Sequence, residues 1–147
     1  SASSSARGTS PENVLTGVTL DGPKENKNRW VAEASGRPWL RLDWDSPRKI
    51  SQIRLTFEPG WTPLSQSGSN YLLSSMVRAP QPKLVRDYDI TGILEDGSER
   101  KLAEIRGNYQ KLRAHKFDPA TVRGVRVDFL ATNGDKMVYV KEIRAEA

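Results

Sequence analysis

The stretch from Asn28 to Phe57 constrains the fold more than any other part of the chain. Apolar and polar side chains alternate in two segments within it, Leu40–Trp44 and Ile53–Phe57. A period of two places the apolar side chains on one face and the polar ones on the other, which is typical of a β-strand with one face in water. Ser46-Pro47, between the segments, is typical of a turn. We therefore predict two half-buried strands of an antiparallel sandwich.

The remainder of the chain continues this period of two, with no amphipathic helix and no internal repeat. The segments Asp87–Leu94 and Lys101–Ile105 flank Asp96-Gly97, a dipeptide that favours the positive φ of a tight hairpin turn. Residues 113–117, 125–131 and 137–144 also alternate. Residues 71–77 are either a short strand or a turn of helix. Short strands at regular spacing predict an all-β fold, an antiparallel β-sandwich (jelly roll) of about eight strands.

Length and composition indicate one domain. A chain of 147 residues can bury a single core without cross-links, and the absence of cysteine excludes a disulfide framework and a thiolate metal site. No apolar run reaches the roughly 20 residues of a membrane span, and the first ten residues lack the pattern of a signal peptide. Because residues 1–11 are mostly small and polar, we expect a linker or disordered segment there and a folded domain over 12–147.

The net charge of +5 favours an anionic partner, but the positions of the charges decide whether they form a binding surface. Most Lys and Arg residues alternate with apolar residues, as in Val122–Val127, and are expected on the solvent face of strands. The densest basic window, Lys101–Lys116, includes Tyr109 and could hold a sulfated or uronic polymer. It is a poor match to a nucleic-acid site, and no nucleic-acid partner is predicted.

Catalytic constellations are missing from the sequence. There is one histidine and no cysteine, and neither a Gly-x-Ser-x-Gly elbow nor a Gly-rich phosphate loop occurs. Acidic residues such as Asp43, Asp45, Asp87 and Asp89 alternate along strands, where solvation explains them. We predict that the chain is not an enzyme.

Several segments, in their order and spacing, resemble a known family. They are Asn13-Val14-Leu15, Leu20-Asp21-Gly22, Asn28-Arg29-Trp30, Trp39–Asp43, Ile50–Leu55, Val85–Ile90 and Val125–Val127 with Glu142-Ile143. This order is similar to the galactose-binding-like jelly roll of discoidin and coagulation-factor C-type domains, which includes family 32 carbohydrate-binding modules. The segments 108–119 and 131–135 also resemble the C-terminal domain of bacterial FAD-dependent oxidoreductase-like proteins.

The resemblance implies a binding module whose loops recognise glycans or, in other branches, phospholipid or protein. It also implies a possible structural calcium ion, with the matched positions Asp21, Asn26 or Asn28, and Glu142. A calcium ion takes six to eight oxygen ligands, which such a loop could supply. The alternative is that Asp21-Gly22-Pro23 is only a turn, and the positive charges of Lys24 and Lys27 disfavour a cation.

A glycan site needs a flat aromatic ring and planar hydrogen-bonding groups, and the loops offer both. The candidate ligand-binding residues are Trp61, Tyr71, Asn108, Tyr109, Arg113, His115 and Asn133. Structural explanations stay open for three of them: Trp61 as a lid on the core, His115 as a strand residue bonded to a neighbour, and Asn133-Gly134 as a simple turn.

The function predicted is a noncatalytic carbohydrate-binding accessory module of a larger bacterial protein, a monomer tethered to a catalytic domain, extracellular or periplasmic. Its partner would be a polysaccharide, with an acidic one as an option. The alternative is a structural or protein-interaction domain appended to an FAD-dependent oxidoreductase-like enzyme, with no sugar ligand. Membrane binding through Tyr71–Leu73 and Met76-Val77 ranks last, because these residues could equally pack beneath the long loop.

Overall fold

A computed structural model describes residues 1–19, 27–60 and 79–147. The described residues form six strands and two short 3-10 helices. The strands are β1 (Trp30–Glu33), β2 (Trp39–Phe57), β3 (Val85–Ile93), β4 (Glu99–Ile105), β5 (Leu112–Thr132) and β6 (Met137–Glu146), and the 3-10 helices are Pro11–Leu15 and Ala34–Gly36. No helix within these ranges is long and apolar enough to cross a membrane. The segment 71–77, predicted as a strand or helical turn, lies outside the described residues.

All pairings between the six strands are antiparallel, in the order β1-β6-β2-β5-β3-β4. Strand β5 has 21 residues, which would span roughly 70 Å if it were straight. Its two ends nevertheless meet, because the Asn133 side chain donates to the carbonyl of Asn108 at 2.9 Å. Strand β5 is therefore folded over, and β2 runs beside it along most of its length. Each of these two strands contributes one half to each layer of the sandwich, which confirms the predicted all-β sandwich.

The predicted Ser-Pro turn does not divide β2 into two strands. Pairing with β5 is interrupted between Asp43 and Arg48 and shifts again between Ile50 and Gln52. Proline lacks a backbone N–H and suits such an interruption. The bend at Pro47 thus turns one continuous strand from one layer into the other. Strand β5 likewise joins two predicted strands, which is one reason why the described count is six and not eight.

The core lies between the two layers and is closed by aromatic contacts. The ring centroids of Trp30 on β1 and Phe129 on β5 are 5.7 Å apart, and those of Phe57 on β2 and Tyr88 on β3 are 5.3 Å apart. All four side chains are fully buried. Leu40, Ile53 and Leu55, which the alternation placed on the inner face, are buried as well. The sequence period therefore identified the core face of β2 correctly.

The first six residues lie against the body of the domain. Ala2 forms a bridge with Leu40, and the Arg41 N–H donates to the Ser1 carbonyl at 2.9 Å. The indole N–H of Trp30 donates to the Ser4 carbonyl at 3.0 Å. The sequence predicted a linker or disordered segment over residues 1–11. The structure differs because small side chains let this segment approach β2 closely, and because the buried indole needs an acceptor.

Candidate functional site

Four connections meet at one end of the sandwich, which we call the loop end. They are residues 58–60, 79–84, 106–111 and 133–136. Backbone hydrogen bonds tie them together, since Asn108 N–H donates to the Arg86 carbonyl at 2.8 Å and Asn133 N–H to the Leu84 carbonyl at 3.0 Å. The Phe57 N–H donates to the Lys111 carbonyl at 2.8 Å. The loop end is thus a hydrogen-bonded surface built on the ends of β2, β3, β4 and β5.

Asn108 holds the β4–β5 connection from inside. Its side chain is 2 % exposed, and its amide donates to the carbonyls of Val85 at 2.7 Å and Gln110 at 3.2 Å. The amide oxygen accepts the Gln110 N–H at 3.0 Å. Every polar atom of this side chain therefore has a partner within the protein. Asn108 positions the loop, and its own side chain does not face outward.

Asn133 lies in the β5–β6 turn and joins two neighbouring loops. Its amide donates to the carbonyls of Leu84 at 3.1 Å and Asn108 at 2.9 Å. In the same turn, the Asp135 carboxylate accepts the Met137 N–H at 2.8 Å. The predicted site residues Asn108 and Asn133 are thus neighbours, and their amides brace the loop end.

Among the described residues of the loop end, Tyr109 is an exposed aromatic, with 64 % of its surface accessible. Leu112, three residues further on, is 55 % exposed. Arg113 is half-buried at the start of β5, where its guanidinium donates to the Gln110 side-chain oxygen at 3.1 Å. A ring held on a braced loop beside a fixed guanidinium is an arrangement that can stack on a sugar and bind its hydroxyl or carboxylate groups.

His115, two residues from Arg113 along β5, points into the sandwich. The ring is buried and its Nε2 shares a 2.8 Å hydrogen bond with the Tyr88 hydroxyl. Burial, together with the charge of Arg113, lowers the pKa of His115 to about 4. The imidazole is therefore neutral at pH 7 and is bonded to a neighbour, as in the structural explanation that the sequence left open.

A basic cluster beside these loops was missed by the sequence analysis. The guanidinium carbon of Arg29 lies 5.7 Å and the Nζ atom of Lys83 lies 4.9 Å from the centre of the Tyr139 ring. Burial and the charge of Asp135 raise the pKa of Tyr139, so that its hydroxyl stays protonated at neutral pH. The sequence did carry a signal, since Tyr139 alternates with Val138 and Val140 and so belongs to the outer face of β6.

In the described part of the predicted calcium set, the Glu142 carboxylate has a cationic partner from the protein itself. The Glu142 carboxylate is bonded to the Arg144 guanidinium, with Oε1 2.6 Å from Nη2 and 2.8 Å from Nε. Its other oxygen lies 3.5 Å from the Thr56 hydroxyl. Asn28 is half-buried beside Arg29, and Asp21 and Asn26 lie outside the described residues. Within the ranges that the structure describes, no three His, Asp or Glu side chains group together.

The two remaining candidates, Trp61 and Tyr71, also lie outside the described residues. Their predicted role in ligand binding stays a prediction. A cavity of about 330 Å³ opens at the opposite end of the sandwich, between Gln52, Lys116 and Phe117, and no candidate residue within the described ranges lines it.

Comparisons with known proteins define the class of fold. No protein-family model matches the chain. No curated protein matches its sequence. Among solved structures, the family 32 carbohydrate-binding module of C. perfringens NanJ, in complex with galactose, is 17 % identical and has a TM-score of 0.69, over 99 % of this chain and 90 % of that one.

Two further solved structures have the same architecture. A pectin-binding carbohydrate-binding module is 20 % identical, with a TM-score of 0.68 over 100 % of this chain and 88 % of its own. The chitosan-binding module 2 from a chitosanase/glucanase of Paenibacillus sp. IK-5, in complex with chitotriose, is 14 % identical, with a TM-score of 0.73 over 100 % and 94 %. The chain thus has the galactose-binding-like jelly-roll fold of these modules, as its sequence resemblance predicted. Because the three bind chemically different sugars, this fold does not by itself specify a ligand.

Proposed function

We propose that this chain is a noncatalytic carbohydrate-binding module that binds a polysaccharide at the loop end. The observation that carries the proposal is Tyr109, a 64 % exposed ring on a connection that the buried Asn108 braces from below. An exposed aromatic residue costs little to order on binding when its loop is already fixed, and its face suits the apolar face of a sugar ring. The carbohydrate-binding modules that share this fold support the same function.

The ligand is an acidic polysaccharide, because Lys83, Lys111 and Arg113 lie in or directly beside the connections of the loop end. Lys83, Lys111 and Arg113 make no ion pair with any carboxylate of the described residues. Cations at the same end of the sandwich as an exposed ring suit carboxylate or sulfate groups, and the Arg113 guanidinium could bind a carboxylate through two parallel hydrogen bonds.

Affinity electrophoresis tests this function. Gels would contain polygalacturonate, polymannuronate, a neutral galactan or chitosan. We expect retardation by the two uronates, weaker at higher salt because the contacts are ionic. Tyr109→Ala and Arg113→Gln should each weaken binding roughly tenfold, the loss expected for one stacking contact or one charge-assisted hydrogen bond. Trp61→Ala tests the prediction for the residue outside the described ranges.

A matched control is Arg123→Gln, which removes an exposed cation from β5 near the bend at the opposite end. It changes the net charge as Arg113→Gln does, so a loss seen only for Arg113→Gln locates the contact. Equal losses for both variants would indicate unspecific attraction and would contradict the proposed site. Retardation by the galactan alone would contradict the proposal of an acidic ligand but would still support a carbohydrate-binding module.

A second candidate function is the predicted structural or protein-interaction domain appended to an FAD-dependent oxidoreductase-like enzyme. Exposed apolar side chains away from the strands favour it, since Leu15 is 59 % and Val18 is 47 % exposed. This function predicts no retardation by any polysaccharide, together with a stable complex with the neighbouring catalytic domain that Leu15→Ser weakens. For either function we propose a monomeric module tethered to a catalytic domain of a bacterial protein, in the extracellular space or periplasm.

A further inference from the structure

Strand β6 contains an extra residue that redirects one lysine. Thr56 on β2 pairs with Glu142, and the next residue, Phe57, pairs with Val140, so that Lys141 has no opposite residue on β2. Such a β-bulge turns a side chain away from the direction that strict alternation would give it. The Lys141 side chain leaves the strand here and runs toward the loop end.

The ammonium of Lys141 is buried between two oxygen acceptors. Its Nζ lies 2.8 Å from Oε2 of Glu58 and 2.9 Å from the carbonyl oxygen of Thr19, and the side chain is only 9 % exposed. A buried ammonium is costly unless charge and hydrogen bonds compensate it. The carboxylate and the carbonyl provide that compensation, and the lysine is fixed by them.

One further cation and one backbone N–H also hold Glu58. Its Oε1 accepts the Gly60 N–H at 3.0 Å, and its Oε2 lies 3.4 Å from the Arg29 guanidinium. Burial alone would raise the pKa of Glu58, but the hydrogen bonds from Lys141 and Gly60 outweigh it and hold the pKa below its ordinary value. The carboxylate is thus ionised at neutral pH and shared by three donors.

The contacts join three separate parts of the chain. Thr19 immediately precedes residues 20–26, Arg29 follows them, and Glu58 lies directly after β2. A carboxylate and a backbone carbonyl converging from different segments are ligand types that a calcium ion uses, at about 2.3–2.6 Å. Here an ammonium from the protein itself lies between them. In a similar way, the guanidinium of Arg144 forms an ion pair with the carboxylate of Glu142.

We propose that Lys141 is the resident cation of this end of the domain, so that the chain is folded and stable without a structural metal ion. The ammonium supplies the positive charge that links Thr19 and Glu58, and it does so through directional N–H donors at a fixed position. This inference does not depend on which ligand the loop end binds.

Thermal unfolding of the purified chain tests the inference. We expect the melting temperature of the wild type to be unchanged by a chelator and by millimolar calcium, because no ion is bound to shift the equilibrium. Lys141→Met should lower the melting temperature by on the order of 10 °C, since it leaves the Glu58 carboxylate buried without its main partner. Lys136→Met is the matched control, because Lys136 is exposed in the β5–β6 turn, and it should melt like the wild type.

The double variant K141M/E58Q measures the coupling between the two groups. We expect its loss of stability to be smaller than the sum of the losses in the two single variants, because removing both charges leaves no buried charge unpaired. A wild-type melting temperature that rises with calcium or falls with chelator would overturn the inference. So would a Lys141→Met variant as stable as Lys136→Met, or losses that add fully in the double variant. If Lys141→Met does not fold, the chelator and calcium measurements on the wild type still decide.

Discussion

The hydroxyl of Tyr88 and Nε2 of His115 share a 2.8 Å hydrogen bond in the interior of the sandwich, with their ring centroids 5.6 Å apart. One residue comes from β3 and the other from the first half of β5, so the bond crosses between the two layers. It is a polar contact within a core that is otherwise largely apolar. The chemistry of this pair therefore affects the stability of the whole domain.

Acid should destabilise the protein through His115. Burial lowers the pKa of His115 to about 4, from 6.5 in the unfolded chain, so the unfolded state binds the proton more readily. The stabilisation is complete above pH 6.5, decreases as the pH falls toward 4, and is lost below it. At pH 4.5 the loss should be about 2–3 kcal/mol.

Urea unfolding at pH 7 and pH 4.5 measures this loss, with His115→Gln as the control. Glutamine can keep a hydrogen bond to Tyr88 but does not titrate, so the difference between the two proteins removes the contribution of the carboxylates. Equal decreases in the free energy of unfolding for wild type and His115→Gln would contradict the prediction.

Replacing Asn108 by alanine should destabilise the domain by about 2–3 kcal/mol. The change removes a side chain that bonds to Val85 and to both backbone groups of Gln110, and it leaves buried polar atoms without partners. Denaturant unfolding checks the value. Gln110→Ala is the comparison, because its exposed side chain bonds only to Arg113 among the described residues, and its effect should stay within about 0.5 kcal/mol. Similar effects for both variants would refute the bracing role of Asn108.

At Gly124, β5 passes close to β2, and alanine should not fit there. An added Cβ would lie 2.7 Å from the Leu42 carbonyl oxygen and 2.8 Å from the Asp43 carboxylate. Because a backbone atom cannot swing aside, we expect Gly124→Ala to cost about 1–3 kcal/mol. Gly36→Ala serves as the control, since nothing lies within 4 Å of its added Cβ. Thermal unfolding compares the two, and equal melting temperatures would disprove the close approach.

Removal of residues 1–5 should destabilise the domain by about 1–3 kcal/mol, because the fully buried indole of Trp30 loses its acceptors. In a Trp30→Phe background the same truncation should lower the stability less, because phenylalanine has no N–H to satisfy. The measurement is the melting temperature of four proteins: the wild type and Trp30→Phe, each with and without residues 1–5. An equal cost of truncation in both backgrounds would mean that the contact with Ser4 and Ser5 does not stabilise the domain.

The alternation in the sequence predicted the strands of the sandwich and their inner faces, because a period of two is a local property of the backbone. It predicted the hairpin between β3 and β4 at Asp96-Gly97 for the same reason. It did not predict that β2 and β5 are continuous through their bends, since only pairing with a distant strand keeps an interrupted segment extended. For the candidate site, Asn108, Tyr109 and Asn133, which the sequence assigned to loops, lie in neighbouring connections of the loop end, and their role in ligand binding stays a prediction.

The local pattern of residues was enough to identify the alternating segments, the turns and the composition of a single all-β domain. Long-range contacts, in contrast, turn Asn108 and His115 inward and leave Tyr109 facing outward, and the bulge at Lys141 directs an ammonium to Glu58 and Thr19. The reason is that loop and bulge side chains take their directions from partners far away in the chain. A local pattern contains no information about those partners.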